Sequence, residues 1–252
     1  MNIRTKVLLL FFTSLLTLVI VLAFFRQTQQ RQNEIVLKSA AEQQITLLNT
    51  AINVQSDQID QIVLDYTNWD ELIVNMRKPN QSWAEDNIAS IIKSFKLSTV
   101  SVYGTDQQLI YGFGKKEKNL LTCTSNTAEI LQLIRKKGAI HFFWSNHGEI
   151  LEIAGSTIHA TLDSVRVKPS SGYFMISRSW NKSYLTDLAD DTQGAVYLTN
   201  ANPDKNLVIA NDSITVSKPL LGYNQEVVEN VVIKKPNSIL VNYKNLSDLL
   251  KI

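Results

Sequence analysis

Residues 64–71 read LDYTNWDE, two large aromatics with aspartates on either side, inside a helical pattern. Outward from this stretch, apolar or aromatic side chains recur at Ile45, Leu48, Ile52, Ile59, Ile62, Tyr66, Trp69, Ile73 and Met76. The steps alternate between three and four, with one skipped position at Gln55. The residues between are mostly Gln, Asn, Asp and Ser, so the pattern is a heptad seam on an otherwise polar helix. RQTQQRQNE, just before it, holds no Gly or Pro. The spacing predicts one long helix over 26–78, ended by Pro79, which disfavours helical backbone at Lys78. Tyr66 and Trp69 fall on the seam and are expected to anchor the helix to a sheet. Asp65 and Asp70 flank the pair on its two sides. Aspartates beside a buried seam need partners, so backbone or Arg/Lys contacts at the border of a pocket are expected.

The N-terminus assigns the compartment. VLLLFFTSLLTLVIVLAFF, residues 7–25, carries no charge. At 1.5 Å per residue it spans about 28 Å, close to the ~30 Å hydrocarbon core of a bilayer. The run ends in Phe24 and Phe25, a poor cleavage site, which predicts an uncleaved anchor in the lipid bilayer. A short N-terminal tail, residues 1–6 with Arg4 and Lys6, suits a signal-anchor with a cytoplasmic N-terminus. Residues 26–252 are then periplasmic or extracellular, held by a single pass through the inner membrane.

Composition excludes several classes. The 252 residues are 44% hydrophobic and 19% charged with a net charge of +2, and the cations form no basic stripe, which argues against nucleic acid. One cysteine, Cys123, excludes an intramolecular disulfide framework and a cysteine-based metal knuckle. There is no G-x-S-x-G, Walker-type loop or HExxH, so neither an enzyme nor a cofactor is expected. His141, His147 and His159 are scattered and read as packing or turn positions rather than metal ligands. Glu149 and Glu152 read as the ordinary surface of a hairpin, and YGFGKKEK as a solvated turn.

Beyond Pro79 the pattern changes. Ser82 and Glu85 form a capping box for a short helix with Ile88, Ile91, Ile92 and Phe95 on one face. STVSVY and LIYGFG read as paired strands, and Tyr103 and Tyr111 on them, with Trp144 further on, are candidates for a pocket or for core. Asn126 with Glu129 caps a second helix, TAEILQLIRKK, closed by Gly138. AIHFFWS and EILEIAGSTIHA form the next hairpin, SGYFMISRS a further strand and SYLTDLAD a short helix. GAVYLT, NLVIA, SITVS, VVENVVIKK and SILVNY are strand-like, and KNLSDLLKI starts as a helix. The fold class is α+β: a long helix leading into an antiparallel sheet flanked by helices, with one face free for a ligand. Residues 79–200 form the expected core and 201–252 a strand-rich, membrane-proximal segment.

LDYTNWDELIVNM followed by SWAEDNIASII resembles the type-4 CHASE domain family, in which a long helix carries D-Y-x-x-W-D and a short helix with an Asn follows. LSTVSVYGTDQQLIYG resembles its first hairpin, and GYFMISRSWNKSYLTDLADDTQGAVYL its late strand and helix, so the resemblance covers residues 35–200. It implies an extracytoplasmic, Cache- or PAS-like sensory domain, set between two membrane helices ahead of a diguanylate cyclase of GGDEF type, a histidine kinase or a chemoreceptor module. Asp65, Tyr66, Trp69 and Asp70 match the helix motif; Trp83 and Asn87 match the helix after it. AGSTIHA, residues 154–160, lacks the proline of the family's strand. The sequence reaches Ile252 before a return membrane helix, which suits either a sensory fragment or a stand-alone anchored relative. The resulting expectation is an input domain that binds an unknown small molecule and pairs as a homodimer through the long helix. The alternative is a membrane-anchored accessory protein that binds a partner protein.

Overall fold

No glycine or proline interrupts the chain between Ile3 and Thr67, and the whole stretch is one helix, α1 (Ile3–Thr67). The structure, a computed structural model, describes residues 3–114, 127–146, 148–163, 165–201, 207–209 and 213–236. It divides into two units, Met1–Thr46 and Leu47–Ile252. In the first, the large apolar side chains between Val7 and Phe25 are exposed. Among the described residues α1 is the one helix long and apolar enough to cross a membrane, with a mean hydropathy of 2.9 over its most apolar window.

In the second unit the helix ends at Thr67, eleven residues before Lys78, because tertiary hydrogen bonds claim its last carbonyls. The Thr67 carbonyl accepts from the backbone N–H of His159 (2.8 Å), and the Asn68 carbonyl from the Thr161 hydroxyl (3.0 Å). Those oxygens would otherwise receive the N–H groups four residues on. The predicted unbroken helix to Lys78 is therefore two helices. Trp69 has extended backbone (φ −128°, ψ 109°) and stands at the start of α2 (Asp70–Arg77). Asp70 and Glu71 in its first turn and Arg77 in its last complement the helix dipole.

The next helix begins at a different cap from the expected Ser82–Glu85 box. The Asn80 side chain accepts from the Trp83 N–H (3.2 Å) and starts α3 (Gln81–Ala84). A π-helical turn, Glu85–Ala89, leads into α4 (Ser90–Ser94). Then come β1 (Thr99–Gly104), β2 (Leu109–Gly114), α5 (Thr127–Lys137), β3 (Ala139–Asn146), β4 (Glu149–Ile158), β5 (Gly172–Ser179) and α6 (Lys182–Thr192). The five strands form one antiparallel sheet in the order β2-β1-β5-β4-β3. A second antiparallel sheet, β6-β9-β8-β7, uses β6 (Ala195–Thr199), β7 (Leu207–Ile209), β8 (Ser213–Leu221) and β9 (Val227–Pro236). β6 thus lies at one edge of this sheet, paired with β9.

The long crossover from β2 to β3 and the late entry of β5 put β5 at the sheet centre, buried on both faces. On one face Val100, Val102, Ala154, Ile158, Phe174 and Ile176 pack against Ile59, Ile62 and Val63 of α1, Leu72 and Met76 of α2, and Ile88. On the other, Leu151, Ile153, Tyr173 and Met175 pack against Ile130, Leu131 and Ile134 of α5. Gly155 permits that approach: a Cβ there would lie 3.0 Å from Ile134 Cδ1 and 3.0 Å from the Phe174 carbonyl. The readings that rested on Cys123, His147 and the Asn126 cap, the lysine-rich turn after Gly114, the SILVNY strand and the KNLSDLLKI helix lie outside the described residues.

Candidate functional site

Strand alternation places residues 174, 176 and 178 of β5 on the α1 face, together with 152 and 154 of β4 and 141 of β3. Toward the α2 end this face is aromatic. Tyr66 stacks on Phe174 (5.4 Å between centroids, 14°) and meets Trp69 edge-on (5.6 Å, 90°). Trp69 continues to Trp83 (5.1 Å), and Trp83 to Tyr111 (6.4 Å). The polar tips are satisfied along the way. Tyr66 Oη donates to the Asn87 carbonyl (3.2 Å) within the π turn, and Trp83 Nε1 donates to Glu71 (2.8 Å). Tyr111 Oη accepts from the Asn80 N–H (2.9 Å) and donates to the Asn75 carbonyl (2.7 Å). Asp70 Oδ1 accepts from the Thr161 N–H (2.9 Å), so this carboxylate ties the helix break to the loop after β4. Burial raises the Tyr66 phenol above its ordinary range, and the Asp65 carboxylate adds to the shift.

Six of the residues singled out from sequence, Tyr66, Trp69, Asp70, Trp83, Asn87 and Tyr111, thus meet around the break between α1 and α2. Asp65 is exposed on the helix and makes no hydrogen bond or ion pair among the described residues, contrary to the expectation of a cation or backbone partner. Tyr103 and Trp144 lie on the opposite face, where Tyr103 is buried under α5 and Trp144 stacks on Tyr223 (5.9 Å, 26°).

The other end of the α1 face holds a charge cluster. Glu152, read from sequence as hairpin surface, is completely buried. It faces Arg178 across β4 and β5 and receives Arg178 Nη2 at 2.6 Å and Nε at 3.1 Å. Trp180 Nε1 (2.9 Å), Ser56 Oγ (2.8 Å) and His141 Nε2 (2.9 Å) complete its shell. The second His141 nitrogen meets Asp60 (2.9 Å), and Arg178 donates to the Gln55 side chain and carbonyl (3.1 Å each). The Arg178 guanidinium also lies 4.7 Å from the Tyr184 ring centre, a cation–π contact. Burial would push the Glu152 carboxyl up, but the His141 hydrogen bond and the Arg178 charge hold it down at about 2. Burial would likewise lower His141, and its bonds to Asp60 and Glu152 overcome this and raise it to about 9. Glu149, at the edge of the same hairpin, accepts from the Ser179 hydroxyl.

Gln55, Ser56 and Asp60 of α1 are therefore clamped to three strands through ionised groups. The signal for this in the sequence was the seam's skipped position: the half-buried Gln55 stands where Arg178 needs an acceptor. The remaining histidine, His159, is buried and pairs with Asp163 (3.0 Å) four residues on, across a single 3-10 turn, Thr161–Asp163. No group of residues fit to hold a metal ion occurs among the described residues. A cavity of about 190 Å³ beside Arg178, Tyr184 and Lys96 is small for a ligand, and one of about 330 Å³ lies beside Asp60 and His141. A third, of about 500 Å³, opens at the end of β4.

A five-stranded antiparallel sheet with β5 at its centre, a long helix clamped to one face and a short helix on the other, defines a sensory domain of the Cache/PAS-like class. The CHASE4 domain family matches residues 51–199, and the chain belongs to that family. No curated protein matches the sequence. Among solved structures, the sensor domain of the Vibrio cholerae histidine kinase DctB is similar at a TM-score of 0.53 and 10% identity, covering 82% of this chain and 99% of that one. The Vibrio cholerae LuxQ periplasmic domain is similar at 0.51 and 10%, covering 78% and 98%. The ligand-binding domain of the Campylobacter jejuni chemoreceptor Tlp3, in complex with 4-methylisoleucine, reaches 0.42 at 11% identity, covering 81% and 93%.

Proposed function

We propose that this chain is the extracytoplasmic sensory region of a bacterial membrane receptor, which binds a small molecule and reports it by displacing α1. The observation that carries this reading is the clamp: α1, the helix that also holds the apolar stretch, is fastened to the sheet through Gln55, Ser56 and Asp60, and to the loop after β4 through Thr67. A ligand that favours one arrangement of the strand ends over another shifts the helix with them, by as much as its affinity differs between the two. The aromatic set around Tyr66, Trp69 and Trp83 supports the pivot where α1 gives way to α2. Residues 26–252 lie outside the cytoplasm in this reading, anchored by residues 7–25 in the inner membrane. The output is an effector across the membrane, a GGDEF-type diguanylate cyclase or a histidine kinase, in a homodimer paired along α1. The exposed apolar pair Leu47 and Val54, seven residues apart on one side of α1, supports that pairing.

The test is a metabolite screen on the full chain in detergent, read by tryptophan fluorescence during thermal unfolding. A ligand present at a hundred times its dissociation constant adds about 2.7 kcal/mol, or roughly 5–10 °C for a domain of this size. A stabilising metabolite is expected. A broad library in which no compound shifts the transition would count against a small-molecule sensor.

A further inference from the structure

The cavity of about 500 Å³ at the end of β4 lies between the last turn of α5 and the loop after His159, within the size range of ligand pockets. Its charge is one-sided. Arg135, Arg166 and Lys168 border it with Thr105, Ser170 and Tyr173, and among the described residues no acidic side chain does. The loop's own carboxylate, Asp163, is turned away into the chain. It accepts from His159 Nδ1 (3.0 Å) and from the N–H groups of Val167 (3.0 Å) and Lys168 (3.1 Å). Burial would raise the Asp163 carboxyl, but these bonds more than reverse that and keep it ionised and occupied. Among the described residues none of the three cations has an ion-pair partner.

Arg166 is the distinctive member. Its backbone is left-handed (φ 57°), uncommon for a residue with a side chain. The half-buried guanidinium donates, among the described residues, only to neutral oxygens: Ser156 Oγ, the Thr157 carbonyl (3.3 Å) and Oγ1 (3.5 Å), and Thr67 Oγ1 (2.9 Å). A partly desolvated cation without a counter-charge is costly, and an anion entering the cavity relieves that cost. We infer that this cavity is the ligand site and that its ligand is a small oxyanion, carboxylate or phosphate, held by Arg166 with Arg135 and Lys168 at the rim. The inference rests on the sensory reading above and names its ligand class. It also supplies the route to α1. Arg166 Nη2 holds the hydroxyl of Thr67, the last residue of that helix, so an anion that draws the guanidinium toward itself acts on the helix end.

Calorimetric titration and thermal unfolding of the full chain in detergent, at fixed sodium chloride, test it. The probes are malonate, succinate, inorganic phosphate and glycerol 3-phosphate, with succinamide, glycerol and 1,4-diaminobutane as neutral and cationic counterparts. At least one anion is expected to bind and stabilise, its family telling carboxylate from phosphate, while the counterparts do neither. Arg135→Gln and Lys168→Gln change exposed side chains, leave the fold intact and each weaken anion affinity about tenfold. Arg166→Gln abolishes binding. Stabilisation by the amide or the diamine alone would overturn the oxyanion and leave the sensor standing. So would anion affinity unchanged in the Arg135→Gln/Lys168→Gln double variant, or metabolite hits with all four anions silent. Silence across anions, counterparts and the broad metabolite library would overturn the sensor reading as well.

Discussion

Gln55 of α1 and Arg178 of β5 are joined twice, through the Gln55 side-chain oxygen and through its backbone carbonyl, each at 3.1 Å. These two hydrogen bonds hold one rotational setting of the helix against the sheet, because both acceptors sit on one residue. The guanidinium that makes it is itself neutralised by Glu152, so the clamp is a chain of charges from the core to the helix.

Glu152→Ala leaves Arg178 and His141 as buried or half-buried cations without their shared anion. Removing one partner of a buried pair costs about 3–5 kcal/mol. Urea unfolding of the variant is expected to show a loss of that size. Glu152→Leu with Arg178→Met is expected to recover much of it, since the buried guanidinium is then gone and His141 keeps its Asp60 partner. A single variant as stable as the parent would show that Glu152 does not neutralise the cluster.

The cluster also sets a pH dependence. His141 is raised from 6.5 to about 9 on folding, so its contribution is complete below pH 6.5 and is lost as pH rises through 9. Glu152 is lowered from 4.5 to about 2, so its contribution is complete above pH 4.5 and is lost as pH falls toward 2. Between pH 6.5 and 9 stability is expected to fall by something on the order of 2 kcal/mol. His141→Gln flattens that slope. Denaturation at four or five pH values in the two proteins decides it, and equal slopes would assign the dependence to other groups.

Trp69 stands at the helix break, half-buried between Tyr66 and Trp83. Trp69→Ala is expected to cost about 2–4 kcal/mol, somewhat below a fully buried tryptophan. Asp70→Ala removes one exposed carboxylate bond to the Thr161 N–H and is expected to cost about 1 kcal/mol. The order of the two midpoints in denaturant is the check.

Gly155 leaves room for Ile134 of α5. Gly155→Val forces α5 off the sheet and is expected to cost about 1–3 kcal/mol, the usual range for overpacking. Ile134→Ala in the same chain restores part of the loss. Thermal unfolding of the single and double variants measures both.

Periodicity and turn chemistry were enough to read most elements. The apolar stretch from Val7 to Phe25, the three-and-four seam of α1, the β1–β2 and β3–β4 hairpins, α5 and β5 follow from side-chain spacing, which is a local property of the chain. The D-Y-x-x-W-D stretch was legible as a family mark but not as geometry. Thr67 and Asn68 look as helical as their neighbours, and the helix ends there only because a loop ninety residues later takes their carbonyls.

Glu152 and Arg178 show the same limit from the other side. In sequence, one is an acid on a hairpin and the other an arginine in an apolar strand, and nothing local says that they face each other. Their pairing depends on β5 entering the sheet beside β4, and their link to α1 on the helix crossing that face at Gln55. The chain's own pattern determined an apolar N-terminal segment, a long helix and an α+β sensory fold. The break at Thr67, the clamp at Glu152 and the cationic cavity at Arg166 were decided by tertiary structure, because burial and hydrogen bonds between distant segments set which charges meet.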